Sequence, residues 1–371
     1  MRLTRLQAMQ GGSENGIRRP HRAAFVMTSA ATLLVAFTST VAAKDLPPAA
    51  LGSCAAYSGL PGVGDTAGMA FIPAGTFSMG SNRHRPEERY THIVRVDGFW
   101  IDRHEVTNAQ FAKFVRATGY RTLAERGGDP KVHANMPKEL LAPGSVAFIM
   151  PTDTKRGGSV AQWFHYIANA DWRHPEGPGS SIEGRESHPV VHVAYADALA
   201  YAHWLGRSLP TEAQWEYAAR GGRDGEDDWS SAFDADGKPI ANAWQGIFPV
   251  INTEEDGYAG TAPVGCFKPN GYGLYDMIGN VWEWTSDWYR PGHASTPAVE
   301  PQGPSLMDIR LAPGQLPSKV IKGGSFLCAS NYCARYRPAA RQPQEADLSA
   351  AHIGFRTVRN IAGGNPGEPR N

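Results

Sequence analysis

Leu209-Pro210-Thr211-Glu212-Ala213-Gln214-Trp215-Glu216-Tyr217-Ala218-Ala219-Arg220-Gly221-Gly222 spells a short helix together with both of its ends. Thr211 and Gln214 have the spacing of a capping box, in which the two side chains satisfy backbone N–H groups that the first turn leaves open. Trp215, Ala218 and Ala219 fall on one face and point inward. Gly221-Gly222 supplies the stop, because glycine accepts the left-handed conformation that ends a helix.

Two more helices read the same way. One follows Thr107, which has capping-box spacing to Gln110; Phe111, Phe114 and Val115 make its face and Gly119 ends it. The other runs near Asp197 to Leu205, with Ala198, Tyr201, Ala202 and Leu205 on a stripe and Gly206 after it. Short β-prone runs lie at Ile93–Val96, Phe99–Ile101 and Val190–Val193, set among Gly/Pro loops. The chain has 41 Gly, 28 Pro, 10 Trp and 13 Tyr in 371 residues, which argues against a helical bundle. The expected fold class is α+β with much irregular structure.

Lys plus Arg and Asp plus Glu are 36 each, so no basic field exists to hold nucleic acid or an anionic membrane surface. Arg18, Arg19, His21 and Arg22 precede an uncharged stretch from Ala23 to Ala43, which ends in small residues. We read residues 1–43 as a signal peptide, the bland alternative being an uncleaved anchor. The expectation is an exported protein, periplasmic or secreted, with no stable membrane association after cleavage. Residues 44–66 read as a linker, 67–359 as one domain, and 360–371 as a flexible tail. Leu51-Gly52-Ser53-Cys54 looks like a lipobox, but charge and two prolines separate it from the apolar core.

The four cysteines are Cys54, Cys266, Cys328 and Cys333, and they allow three complete pairings. Cys328-Ala-Ser-Asn-Tyr-Cys333 has i, i+5 spacing, so its sulfurs meet only if the segment bends. Arg335, Arg337 and Arg341 follow and would favour thiolate. The spacing admits an ordinary disulfide, or a two-thiolate site for a soft ion such as Cu(I). His188-Pro-Val-Val-His192 has His-x-x-x-His spacing, but an extended segment would hold the rings too far apart for one metal, so both are expected to pack or hydrogen-bond. Asn242-Ala243-Trp244 with Glu254–Tyr258, and Asp276–Glu283, are oxygen-rich turns that admit calcium or plain solvated carboxylates. Ser325, Tyr332, Trp282 and Trp284 could line a peptide cleft, although isolated aromatics are more often core.

Several ordered motifs resemble the formylglycine-generating (sulfatase-modifying factor) family. They are Met69–Gly80, Phe99–Asn108, Trp172-Arg-His-Pro-Glu-Gly-Pro178, Leu209–Glu216, Asn270–Tyr275, Gly279-Asn-Val-Trp-Glu-Trp284, Gly323–Cys328 and Ile353-Gly-Phe-Arg356. The resemblance implies that family's variant of the C-type lectin fold. It implies Cu(I) on Cys328 and Cys333, and oxidation by dioxygen of a cysteine in a Cys-x-Pro-x-Arg sequence of an unfolded sulfatase polypeptide, with a thiol reductant. Ser325 would be an active-site serine, and Trp282, Tyr332 and His352 would face substrate. Asn242, Ala243, Asp256 and Tyr258 would hold one structural Ca2+. Asp276, Gly279, Val281 and Glu283 would hold a second.

The chain departs from the family pattern in places. His352 stands where generating enzymes carry an asparagine, and Asp276 replaces a common asparagine. Asp227-Asp228-Trp229 occupies the region of a Pro-Trp-Gly turn. Pro338 and Thr357 sit where animal homologues have structural cysteines. Two competing readings follow: a non-catalytic binding protein on the same fold, and an oxidase acting on another thiol.

Overall fold

The computed structural model describes residues 64–131, 138–151, 162–223, 232–311 and 315–361. The expected signal peptide, most of the linker and tail, Cys54 and Asp227–Trp229 lie outside the described residues.

Three helices of useful length form where their caps are written. α1 (Asn108–Thr118) is closed by Thr107 and Gln110, and Gly119 ends it at φ 68°. Two four-residue helices follow, α2 (Leu123–Arg126) and α3 (Lys138–Leu141). α4 (Tyr195–Trp204) starts two residues before the expected Asp197, because Asp197 reaches back and its Oδ2 accepts from the N–H of Ala194 at 2.9 Å. α5 (Glu212–Arg220) carries the Thr211/Gln214 box and stops at Gly221, φ 62°.

The strands in order are β1 (Met69–Ile72), β2 (Gly75–Met79), β3 (His92–Val96), β4 (Phe99–Asp102), β5 (Gly144–Phe148), β6 (Phe164–Ala168) and β7 (Gly246–Ile247). They continue as β8 (Ile251–Asn252), β9 (Trp282–Trp288), β10 (Ala298–Val299), β11 (Ser318–Lys322), β12 (Arg341–Glu345), β13 (Ile353–Gly354) and β14 (Val358–Asn360). They make small sheets: β1-β4-β14, β10-β3-β2, β12-β11-β9-β13, and the hairpins β5-β6 and β7-β8. Elements distant in sequence thus meet through short pairings, and loops carry much of the chain. That is the α+β, irregular architecture expected from the Gly and Pro content.

Val190–Val193 does not form the expected strand. Val190 N–H donates to Val106 O and His192 N–H to Ala350 O, and His192 adopts φ 57°, so the segment threads between partners instead of pairing along one edge. The two histidines still part company as expected. His188 Nδ1 lies 2.9 Å from Thr261 Oγ1, and His192 Nε2 lies 2.8 Å from Pro175 O.

One aromatic core holds Phe111 against Trp172, Tyr201 and Phe355, and Cys328, Cys333 and Trp282 belong to the same cluster. A second core lies under β1–β4 and α5. α5 buries more than its apolar stripe. Glu212 accepts two hydrogen bonds from Arg341 at 2.7 and 2.8 Å, and Glu216 pairs with Lys322 (3.1 Å) and Arg220 (2.8 Å). Burial opposes these charges, yet the facing cations prevail and hold both carboxyls near pKa 2.

Candidate active site and cation sites

β11 leads into the cysteine loop through Gly323 and Gly324, at φ 94° and 77°. A Cβ on Gly324 would press to 3.1 Å against the backbone of Arg335 and Tyr336, so the loop's two ends pass close together here. The loop then turns on itself. Cys328 N–H donates to Ser325 O (2.8 Å), and both Tyr332 and Ala334 N–H donate to Ala329 O (3.1 and 2.9 Å). This is the bend that i, i+5 spacing requires. It brings the Cα atoms of Cys328 and Cys333 to 4.7 Å, with the sulfurs joined as a disulfide.

Neighbouring segments fix the loop. Trp244 N–H donates to Cys328 O at 3.0 Å. Asn331 accepts from Phe248 N–H at 3.3 Å and donates to Phe248 O at 3.1 Å, pinning the β7–β8 hairpin to the loop. The Phe248 ring stacks on Tyr332 with centroids 4.2 Å apart. Arg85 donates to Cys333 O at 2.9 Å.

The arginines after the loop are less available to the thiols than their spacing suggested. Arg335 pairs with Glu87 at 2.7 Å, Arg337 with Glu88 and Arg341 with Glu212. Each cation is committed to a carboxylate. Arg85, outside that run, donates to the Cys333 carbonyl itself, while Arg337 Nε reaches the Ala334 carbonyl at 3.4 Å.

Ser325 is buried and its Oγ accepts from Leu327 N–H at 3.3 Å, next to the Cys328 turn. Trp282 is buried in the core that holds both cysteines, and its N–H donates to His352 O at 2.9 Å. Tyr332 meets Trp163 edge-on at 5.5 Å, and the His352 ring sits 5.3 Å from Phe164. His352 Nδ1 and Trp163 Nε1 are shielded from solvent without a hydrogen-bond partner. Burial, with His192 nearby, pushes the His352 imidazole down to about 3, so it is neutral at physiological pH. Aromatic walls with unsatisfied polar edges can hold a polar segment of polypeptide. The sequence pointed to Tyr332 and His352. It did not point to Phe248, Asn331 or Trp163, whose roles come from contacts across about 80 residues or more of chain that no local pattern carries.

Of the residues suggested for the first calcium, Asn242, Ala243 and Asp256 lie together, with Ala243 N–H donating to Asp256 Oδ2 at 3.2 Å. Asn242 Oδ1 is buried and unpartnered. Gln245 Nε2 bridges the other two donors, bonding Ala243 O and, at 2.8 Å, Asp256 Oδ2. A donor set of carboxylate, amide and carbonyl oxygens is of the kind that suits Ca2+. Tyr258 N–H holds Asp256 Oδ1 at 2.9 Å. At the second position, Asp276 Oδ2 accepts from Gly265 N–H at 2.7 Å. Glu283 is largely taken: Arg356 donates to both its oxygens at 2.7 Å, and Trp215 Nε1 donates to Oε2 at 2.8 Å. Among the described residues, no three His, Cys, Asp or Glu side chains converge as a metal-binding group, so carbonyls must complete either site.

The scaffold defines a class before any individual protein is considered. The chain matches the solved structure of PvdO from Pseudomonas aeruginosa at a TM-score of 0.56, covering 81% of this chain and 99% of that one at 24% identity, which is a likeness of fold. Residues 60–361 match the model of the sulfatase-modifying factor enzyme 1-like domain. The chain is 48% identical over 295 residues to the formylglycine-generating enzyme of Mycobacterium tuberculosis, covering 79% of this chain and 98% of that one. It is 46% identical to the formylglycine-generating enzyme of Mus musculus, covering 78% and 74% respectively. The chain belongs to the sulfatase-modifying factor family.

Proposed function

We propose that this chain is a formylglycine-generating oxidase that converts a sulfatase cysteine, in a Cys-x-Pro-x-Arg segment, to formylglycine with dioxygen. The observation that carries the reading is the loop that bends Cys328 onto Cys333 inside the aromatic core, in a chain 48% identical to a named generating enzyme.

Two reduced thiolates 4.7 Å apart at Cα, buried at the edge of the aromatic core, would form a donor set suited to Cu(I). The joined pair must first be reduced by two electrons. Bound copper would supply a soft centre for the substrate thiolate and for oxygen activation. Turning the cysteine thiol into an aldehyde with release of hydrogen sulfide removes two electrons and takes up one water. Dioxygen accepts four, so a thiol reductant supplies the other two. The protein's residues do the rest. Asn331 and Trp244 hold the loop, and the Phe248–Tyr332 stack walls the cleft. Trp163 and His352 would present aromatic and polar edges to an extended peptide, Trp282 backs the cysteines from within the core, and Ser325 fixes the turn that carries Cys328. Because His352 is neutral, it can accept or donate one hydrogen bond without adding charge. Ca2+ at the two oxygen-rich positions would be structural. The uncharged stretch 23–43 supports export, so the substrate would be met unfolded outside the cytosol or in an endomembrane compartment.

A second reading, oxidation of another thiol, rests on His352. Cu(I) titration and a peptide panel separate the cases. The proposal expects one Cu(I) per chain and turnover of Cys-x-Pro-x-Arg peptides above other cysteine peptides. Copper binding with turnover of some other thiol would favour the second reading. No copper binding would favour a non-catalytic protein.

A further inference from the structure

Glu105 sits between β4 and α1, fully buried, and its carboxylate is only half accounted for. Oε1 accepts from Asn280 Nδ2 at 3.1 Å. Oε2 has no partner and no contact with solvent. The Asp276 carboxyl lies against that of Glu105, and Asp276 is itself buried with a single backbone donor, Gly265 N–H, on Oδ2. The third acid nearby, Glu283, is matched by Arg356. Three carboxylates therefore face one guanidinium in a closed space. Two acids in contact with an orphaned oxygen need either a shared proton or a cation between them.

We propose that Glu105 is a ligand of the second cation site, where it and Asp276 supply the charge for a divalent oxygen-seeking cation such as Ca2+. This rests on the calcium reading above and adds to it a residue outside the Asp276–Glu283 segment. Arg356 and Trp215 together occupy most of the hydrogen-bonding edge of Glu283, leaving one lone pair on Oε1. Glu105 Oε2, Asp276, and the Gly279 and Val281 carbonyls bring the oxygens toward the roughly six to eight that calcium prefers.

Such a cation would have a structural consequence. Asn280, at φ 51°, donates to Glu105 and accepts from Asn242 Nδ2 through its side chain, while its backbone O accepts from Phe326 N–H at 2.9 Å. The cation would join the β4–α1 corner to the turn that supports Ser325 and Cys328.

Calorimetric titration of Ca2+ into the EDTA-stripped full chain tests this. Wild type should bind two ions, Asp256→Asn one, and Glu105→Gln should keep the first ion and bind the second roughly tenfold or more weakly. Hydrogen exchange on the Asp256→Asn protein gives a readout that needs no Glu105 variant: Ca2+ should protect residues 103–108 along with 276–283. Two ions bound unchanged by Glu105→Gln, or protection confined to 276–283, would overturn the role of Glu105 and leave the calcium reading intact. No calcium bound by wild type would remove both.

Discussion

Replacing Arg356 with methionine tests the buried charge balance most sharply. Methionine keeps much of the volume and removes the charge. In the native fold Arg356 is fully buried, pairs with both oxygens of Glu283 at 2.7 Å, and donates to Asp102 O and Tyr275 O at 3.2 and 3.0 Å. Without it Glu283, Asp276 and Glu105 have no facing cation. Breaking one partner from a buried pair costs about 3–5 kcal/mol, a large share of the ~5–15 kcal/mol that holds a domain together. A domain of this size loses about 2 °C of Tm per kcal/mol, so the melting temperature should fall by roughly 6–10 °C in EDTA. Adding Glu283→Gln should restore part of the loss, because it removes the stranded charge. Scanning calorimetry of the two variants and wild type measures both effects. A drop under about 2 °C, or no recovery in the double variant, would refute the premise that Arg356 balances the buried Glu283 carboxylate.

Other expectations follow from the same geometry. Asn331→Ala removes both of its hydrogen bonds to Phe248; peptide turnover should fall several-fold while Tm moves by about 1–3 °C, read by steady-state kinetics beside a melt. His352→Asn should change the acid limb of stability. The His352 pKa lies near 3 when folded, so between its ordinary value and 3 only the unfolded chain takes the proton. Wild type should therefore lose stability relative to the variant as pH falls from about 6.5, by up to about 1.4 kcal/mol per pH unit, in urea melts at about pH 7 and pH 5. Arg85→Ala, which frees the Cys333 carbonyl, should raise KM or lower kcat several-fold, with Arg85→Lys recovering part; equal activity in both would remove Arg85 from the site.

Much of the fold was legible because its signals are local. The Thr107/Gln110 and Thr211/Gln214 boxes and the stops at Gly119 and Gly221 lie within one helix each, and all four formed. Thr122/Glu125 carried the same signature for α2, short enough to pass unmarked. β12 was illegible because Pro343 interrupts it and its side chains are polar; its place comes from pairing with β11. Val190–Val193 misled because β-branched composition does not guarantee an edge to pair with. The cysteine loop was legible as a pair that must bend. The residues that bend and hold it were not, since Asn331, Trp244 and Arg85 act across long separations. Glu105 lay inside a quoted motif, yet its burial against Asp276 is a fact of the folded chain.

The most direct test uses residues 44–371, reduced and supplied with Cu(I), dioxygen, thiol and a Cys-x-Pro-x-Arg peptide, with mass spectrometry of the product. The account predicts that the cysteine side chain becomes an aldehyde, and that the change vanishes in Cys328→Ser and in Cys333→Ser. An unchanged peptide mass with copper bound, or full conversion by either serine variant, would contradict it.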